Sequence, residues 1–247
     1  MPATPAVDRP ALQGLRLAVP DLRAALAFAA QVLGLEKQAA THPGDGDPDE
    51  ARFQLGASSW LAVRQRPPDA ARIPSPATAA MLQTLHWRCT DLVRQRALLA
   101  RLGFDSPADS EPDDAASIRV AAAETGACAI RWESAPLQPP AAHDTLPQLV
   151  ALVLHARAPE RAITLWAQMF QAPVERPTAG VPRLRLGALT VQFAFAEEQA
   201  GGVASLTLEV PDAAAARERA KAQGLALDGD AISLAGLRVR LTSAPPR

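Results

Sequence analysis

The sequence predicts an α+β fold made of four copies of one unit, a strand and a helix followed by a meander of short strands. A stretch of alternating apolar residues, a polar turn and an amphipathic helix recurs four times along the 247 residues. Two short apolar strands separated by a glycine follow each helix, as antiparallel strands joined by a tight turn require. Each copy therefore predicts a βαβββ module.

The first strand and the helix define each copy. Asp21, Asp91 and Asp212 occupy the same place in three of them, where a carboxylate can cap the first N–H groups of the following helix. The third copy is weaker, because Ala158 stands at this place and Pro159 opens the helix. The four strand-and-helix pairs are 14–21 with a helix through Val32, 84–91 with a helix to Leu102, 151–158 with a helix through Phe170, and 205–212 with a helix that ends before Gly224.

The meander after each helix supplies the remaining strands. Their glycines are Gly56, Gly126, Gly187 and Gly236, each placed for a turn between antiparallel strands. The predicted strand pairs are 52–55 with 59–64, 117–120 with 128–132, 183–186 with 189–195, and 231–234 with 237–241.

Pro- and Ala-rich stretches separate the copies and indicate two domains. We interpret 66–76 and 135–147 as linkers, the second being the domain boundary. The first domain is predicted to span 12–135, with modules 12–66 and 83–133. The second is predicted to span 148–243, with modules 148–195 and 203–243. Each half has its own pair of modules, so each is expected to fold alone.

The opening strand Gly14-Leu-Arg-Leu-Ala-Val-Pro-Asp21, with Leu33-Gly34-Leu35 after its helix, resembles the vicinal oxygen chelate superfamily of glyoxalase-like, bleomycin-resistance and dioxygenase proteins. The resemblance covers about residues 12–243. It implies four βαβββ modules paired into two glyoxalase-like domains, each with a sheet-lined cleft. In this superfamily a metal lies in the cleft on His or Gln and Glu side chains.

The metal positions that the resemblance implies are not filled by ligands. The implied ligand lies seven residues before the helix-capping position, and the residues found there are Gly14, Thr84, Ala151 and Ser205. No carboxylate stands at the implied place on the last strand of any module. Divalent ions require converging His, Asp or Glu side chains. We therefore expect no cofactor. An alternative is a divalent metal held at shifted positions by His86 and Glu133.

Strand alternation predicts which side chains face the first cleft. Because Leu15, Leu17 and Val19 must pack on the helix, the alternate residues face outward, and the other strands follow the same parity. The cleft is then rich in guanidinium groups, whose planar fork suits carboxylates. A wet sheet face carries polar residues in any case, so solvated arginines are the competing interpretation. The candidate ligand-binding residues are Arg16, Trp60, Arg64, Thr84, His86, Arg88 and Arg131, with His86 also the candidate acid–base residue.

The composition of the chain narrows the range of possible functions and partners. The net charge of −1 argues against nucleic acid as a partner, and two cysteines exclude a disulfide framework or a four-cysteine zinc site. Cys89 and Cys128 are predicted to be buried thiols. No membrane span is expected, which favours a cytoplasmic location. The oligomeric state is expected to be a monomer or a homodimer. Three functions stay open: a metal-independent protein that binds a small molecule, with an anion as one candidate; a lyase, isomerase or dioxygenase that uses His86; and a scaffold protein.

Overall fold

The computed structural model describes residues 10–38, 50–66, 81–104, 117–134, 146–178, 180–197, 202–234 and 237–244. The linkers predicted at 66–76 and 135–147 and the hairpin glycine Gly236 lie largely or wholly outside these ranges. The domain boundary therefore stays a prediction. Among the described helices, none has the length and apolar character that crossing a bilayer requires.

The first half of the chain forms a six-stranded sheet in the order β2-β3-β1-β4-β6-β5. Three helices accompany it, the first of which continues as a π-helical stretch over Phe28–Val32. The strands are β1 (Ala11–Val19), β2 (Glu50–Leu55), β3 (Ser59–Gln65), β4 (Met81–Cys89), β5 (Ser117–Val120) and β6 (Ala129–Ser134), and the helices are α1 (Leu22–Ala27), α2 (Leu92–Arg101) and α3 (Ala122–Thr125).

The second half forms an eight-stranded sheet in the order β12-β13-β14-β11-β7-β10-β9-β8. The two short outer strands β8 and β12 extend the predicted meanders. The strands are β7 (Gln148–Ala156), β8 (Val174–Glu175), β9 (Arg183–Leu186), β10 (Leu189–Phe195), β11 (Val203–Val210), β12 (Leu227–Asp228), β13 (Ala231–Leu234) and β14 (Leu237–Ser243), and the helices are α4 (Pro159–Met169) and α5 (Ala213–Ala222).

The pairing of strands repeats in all four modules. The first strand of each module runs parallel to the last strand of the same module, in the pairs β1–β3, β4–β6, β7–β10 and β11–β14. The first strands of two modules pair antiparallel at the centre of each sheet, as β1–β4 and β7–β11. The predicted α+β fold of four βαβββ modules paired two by two is confirmed.

The helix caps follow the prediction as well. The carboxylates of Asp21, Asp91 and Asp212 accept hydrogen bonds from backbone N–H groups three residues later, at 2.8–2.9 Å. Ala158 caps α4 without a side-chain hydrogen bond. Gly126 differs from its prediction: it ends α3 in the left-handed conformation (φ 75°) and does not form a two-residue hairpin, because a helical turn fills the space between β5 and β6.

The two sheets share one hydrophobic core that includes residues of both halves. Phe170, just after α4, lies between Trp87 of β4 and Trp132 of β6, with ring centroids 4.6 and 5.6 Å away. Polar contacts cross the same boundary: Trp166 Nε1 donates to the Thr125 carbonyl at 3.1 Å. The interior is therefore continuous across the two halves.

Candidate functional site

The polar surface of the first sheet, opposite the shared core, carries all seven candidate binding residues. We call it the first polar face. Leu15, Leu85 and Ile130 belong to the core, so the alternate residues of their strands point the other way. The register places Gly14 beside both Trp60 and His86. The residues of this face that concern the site are Arg16, Glu50, Arg52, Trp60, Arg64, Thr84, His86, Arg88, Arg131 and Glu133.

Trp60 is the aromatic centre of this face. Its ring lies 4.7 Å from the imidazole of His86, and the Arg52 guanidinium carbon lies 4.0 Å from its ring centroid. It also contacts Gly14, where a β-carbon would lie only 2.2 Å from Trp60 Cδ2. Gly14 therefore has to lack a side chain for the indole to lie where it does.

His86 and Glu133 form a hydrogen-bonded pair beside the indole. Nδ1 of His86 lies 3.2 Å from Oε1 of Glu133, and Nε of Arg131 lies 3.0 Å from the same oxygen. The hydrogen bond from His86 is the main cause that holds the pKa of Glu133 below its ordinary value, with the nearby positive charge of His86, Arg131 and Arg52 adding to it and burial opposing it. Glu133 is therefore a carboxylate at neutral pH.

The nitrogen atoms of this face that are buried without a hydrogen bond to the described residues include three on deeply buried side chains. They are Nε1 of Trp60, Nε2 of His86 and Nε of Arg88. The side chains that carry them belong to residues with at most 9% of their surface exposed. Buried polar groups are normally paired, so each of these atoms is available to a partner that is not part of the described chain.

Arg16 has a carboxylate partner that the sequence analysis missed. Its Nε lies 2.9 Å from Oε2 of Glu50 and its Nη2 donates to Oε1 at 3.3 Å. Glu50 ends an acidic stretch typical of a loop, but it is the first residue of β2. It lies two residues before Arg52 and so points to the same face, and this spacing is the sequence signal that could have identified it. The register sets Arg16 beside Thr84 and Arg88 beside Ala11, so Arg16 and Arg88 are not direct cross-strand neighbours.

The polar face of the second sheet differs in its charge balance. Arg183 and Arg185 both bind Glu175, at 2.6 and 3.0 Å. Arg238 pairs with Asp228 at 2.7 Å, and Arg240 lies 3.7 Å from Asp230. These arginines have carboxylate partners on neighbouring strands or turns. The guanidinium groups of the first polar face, in contrast, outnumber the carboxylates that the described strands place there, Glu50 and Glu133.

Both cysteines are buried and neither forms a disulfide, as predicted. Burial raises the pKa of the Cys128 thiol far above its ordinary value, so it stays protonated. Neither cysteine contributes a reactive group to the first polar face.

The side chains at the metal positions implied by the sequence resemblance do not fit a metal. The space above Gly14 is filled by the Trp60 indole. Within the described ranges there is no group of three or more His, Cys, Asp and Glu side chains placed to hold an ion. His86 and Glu133 supply two ligand atoms, but the Arg131 guanidinium lies on the same carboxylate oxygen.

Comparisons of sequence find no match: no family model matches the chain, and no curated protein matches it either. Comparison of structures does find matches. A Mn(II)-bound glyoxalase from Novosphingobium aromaticivorans is 14% identical, with a TM-score of 0.66 over 94% of this chain and 81% of the other. A catechol 2,3-dioxygenase is 12% identical, with a TM-score of 0.64 over 94% and 87% of the two chains.

A third neighbour, a variant of 4-hydroxymandelate synthase from Streptomyces coelicolor, is 19% identical, with a TM-score of 0.60 over 88% of this chain and 76% of the other. These likenesses correct one prediction. The filled-ligand test on the sequence predicts no cofactor, yet a glyoxalase of the same fold is Mn(II)-bound, so that prediction is wrong and a metal has to be kept among the candidate ligands. At the level of fold the resemblance is confirmed: this chain has the fold of the vicinal oxygen chelate superfamily.

Proposed function

We propose that the protein binds a small anionic molecule on the first polar face. The observation that supports this most directly is Arg88, a nine-tenths buried arginine whose Nε has no hydrogen-bond partner among the described residues. A cation removed from water destabilises a fold unless an opposite charge compensates it. An anion from solution would supply that charge.

The contrast between the two sheets supports the choice of the first one. The described arginines on the polar face of the second sheet have carboxylate partners within 4 Å. On the first polar face Glu133 is shared between His86 and Arg131, and Glu50 is engaged by Arg16. No ion pair joins Arg88 to either carboxylate. The first polar face is therefore the better acceptor of additional negative charge.

The neighbours of Arg88 favour a carboxylate over a bare ion. His86 lies two residues away on the same strand and face, and Trp60 contacts its ring. Nε1 of Trp60 and Nε2 of His86 have no hydrogen-bond partner among the described residues, so each can hydrogen-bond to a ligand. Arg64, Thr84 and Arg131 are partly exposed on the same face, where they can orient the rest of a small molecule. A guanidinium binds a carboxylate through two parallel hydrogen bonds, which fixes its orientation.

The experiment is a thermal-shift titration with charged and neutral pairs of otherwise similar molecules. Benzoate is compared with benzamide, and acetate with acetamide. We expect the carboxylates alone to raise Tm, by the equivalent of about 2.7 kcal/mol at a hundredfold excess over Kd. Arg88→Met should abolish this rise. The matched control is Arg238→Met on the second sheet, where Arg238 already pairs with Asp228 and the carboxylate-dependent rise should persist.

Two results would overturn the proposal. One is that the carboxylates raise Tm no more than their neutral counterparts do. The other is that the rise persists in Arg88→Met, which would place the anion elsewhere on the protein.

A further inference from the structure

We infer that the groove between α3 and α4 binds a free α-amino acid with an aliphatic side chain. The cavity in this groove has a volume of about 470 Å³, and small-molecule sites usually measure about 300–1,000 Å³. The groove lies where the two halves of the chain meet, since α3 belongs to the first half and α4 to the second. Its lining shares no residue with the first polar face, so this site is additional to the proposed function.

The two walls of the groove carry opposite charges. Arg157 and Arg161 stand on the α4 wall, and Glu124 stands on the α3 wall. Neither of these arginines forms an ion pair within the ranges that the structure describes, whereas Arg176 and Arg183 of the same half do. Both side chains are exposed, so a ligand can reach them. The α4 wall therefore offers two guanidinium groups to a carboxylate.

Glu124 supplies the negative charge of the α3 wall. Its Oε2 accepts a hydrogen bond from the backbone N–H of Ala121 at 2.9 Å, which holds the side chain at the start of α3. A carboxylate has about four acceptor sites, so this bond leaves room for an ammonium group. A fixed negative charge attracts an ammonium group and repels a simple anion. The pair of walls therefore fits a zwitterion better than an ion of either sign alone.

The rest of the cavity lining is mostly small or aliphatic. Leu165 and Ala162 belong to α4, and Gly126 lies close to them, where an added β-carbon would be 3.9 Å from Cβ of Ala162. Ala123 and Ala158 complete this part of the lining. The side chains of these residues offer no hydrogen-bonding group, so they suit an apolar part of the ligand. The side chain of the amino acid should therefore be aliphatic.

The groove adjoins a contact that joins the two halves. Thr125 lines the cavity and is fully buried, and its carbonyl accepts the hydrogen bond from Nε1 of Trp166 at 3.1 Å. A ligand bound to both α3 and α4 adds contacts that exist only while the halves are packed together. Such a ligand stabilises the folded protein by mass action, so we expect it to raise Tm.

The test is isothermal titration calorimetry of the full-length Arg88→Met variant, in which the proposed carboxylate site of the first polar face is removed. The probes are L-leucine, 4-methylpentanoate, which lacks the ammonium group, and 3-methylbutylamine, which lacks the carboxylate. We expect leucine to bind at a single site. Each of the other two probes should bind at least about tenfold more weakly, because a hydrogen bond to a charged group contributes about that factor.

Substitutions in the same background separate the two walls. Replacing both Arg157 and Arg161 with Met should abolish leucine binding. Glu124→Gln keeps an oxygen that can cap α3 and removes the charge, so leucine should bind at least about tenfold more weakly. The same variant should bind 4-methylpentanoate as tightly as before or more tightly, because a repulsive charge is gone. Arg238→Met is the matched control, since Arg238 pairs with Asp228 on the second sheet and leucine binding should not change.

Three results would overturn this inference. They are an absence of saturable leucine binding, equal affinities for leucine and 4-methylpentanoate, and undiminished leucine binding after both arginines are replaced. None of them bears on the proposed function, whose test is the carboxylate-dependent rise of Tm in the protein that retains Arg88. In the same way, a failure of benzoate to raise Tm would leave leucine binding in the groove unaffected.

Discussion

The indole of Trp60 lies so close to Gly14 that no side chain fits at residue 14. A β-carbon at residue 14 would lie 2.2 Å from Cδ2 and 2.3 Å from Cε2 of the indole. Gly14 is on β1 and Trp60 is directly beside it on the parallel strand β3. The contact brings the indole against His86 and so shapes the floor of the candidate site.

Gly14→Ala should therefore destabilise the protein by about 1–3 kcal/mol, the usual effect of extra atoms in a packed site. The free energy of unfolding, measured with urea, checks this. In a Trp60→Ala background the same change should cost much less, because the clashing ring is gone, and the difference is the coupling energy between the two residues. Equal costs in both backgrounds would show that the close approach does not determine the packing.

Arg88→Met should leave the ligand-free protein as stable as before, or more stable. The reason is that a buried cation whose Nε has no hydrogen-bond partner among the described residues is replaced by an apolar side chain of similar length. Arg16→Met is the comparison, since Arg16 has an ion pair with Glu50 and its loss should cost roughly 0.2–1 kcal/mol. Urea denaturation without added anion measures both. A large loss of stability in Arg88→Met would mean that Arg88 has a partner in the free protein.

Glu133→Gln should change how stability depends on pH. A carboxylate whose pKa is lower in the folded than in the unfolded state stabilises the fold above its unfolded pKa, and this contribution is lost as the pH falls through the folded pKa. The unmodified protein should therefore be more stable than Glu133→Gln at neutral pH, and the difference should shrink on acidification below about pH 4.3. Urea denaturation across pH 3–7 measures the difference. A gap that stays constant would contradict the role of the charge.

Phe170→Ala should destabilise the protein by about 3–5 kcal/mol, the usual cost of deleting a buried aromatic ring. Phe170 is 3% exposed and contacts Trp87, Trp132 and Trp166. Phe195→Ala is the matched control, because Phe195 is 69% exposed and should contribute little. Thermal denaturation of both variants provides the comparison. Similar losses in the two would show that the aromatic cluster adds nothing beyond ordinary surface packing.

The shared core also changes what we expect of separated halves. The paired modules predict that fragments cut within 135–147 fold alone, but a first half without Phe170 would expose Trp87 and Trp132, which are fully buried in the whole chain. We expect each fragment to lack a cooperative unfolding transition by itself and to gain one when the two are mixed. Cooperative unfolding of both isolated fragments would restore the original expectation.

Local patterns made much of this fold predictable. The alternation of Leu15, Leu17 and Val19 determines which face of β1 is buried, because successive side chains of a strand point to opposite sides. Asp21, Asp91 and Asp212 mark helix starts, because a capping carboxylate accepts a hydrogen bond from the backbone N–H only three residues later in the chain. The same parity assigned the candidate site residues to one face. All of these signals depend on neighbours in the chain.

The sequence by itself thus determined the modules, their buried faces and the positive character of the first polar face. Only the tertiary structure decided which of those groups meet. Glu133 reaches His86 across 47 residues, and Glu50 reaches Arg16 across 34. Such contacts depend on strand register, which pairs Glu133 with Arg88 and not with His86, and on the direction of long side chains. Neither quantity is encoded by residue spacing, because a register is a relation between strands brought together by the packed core.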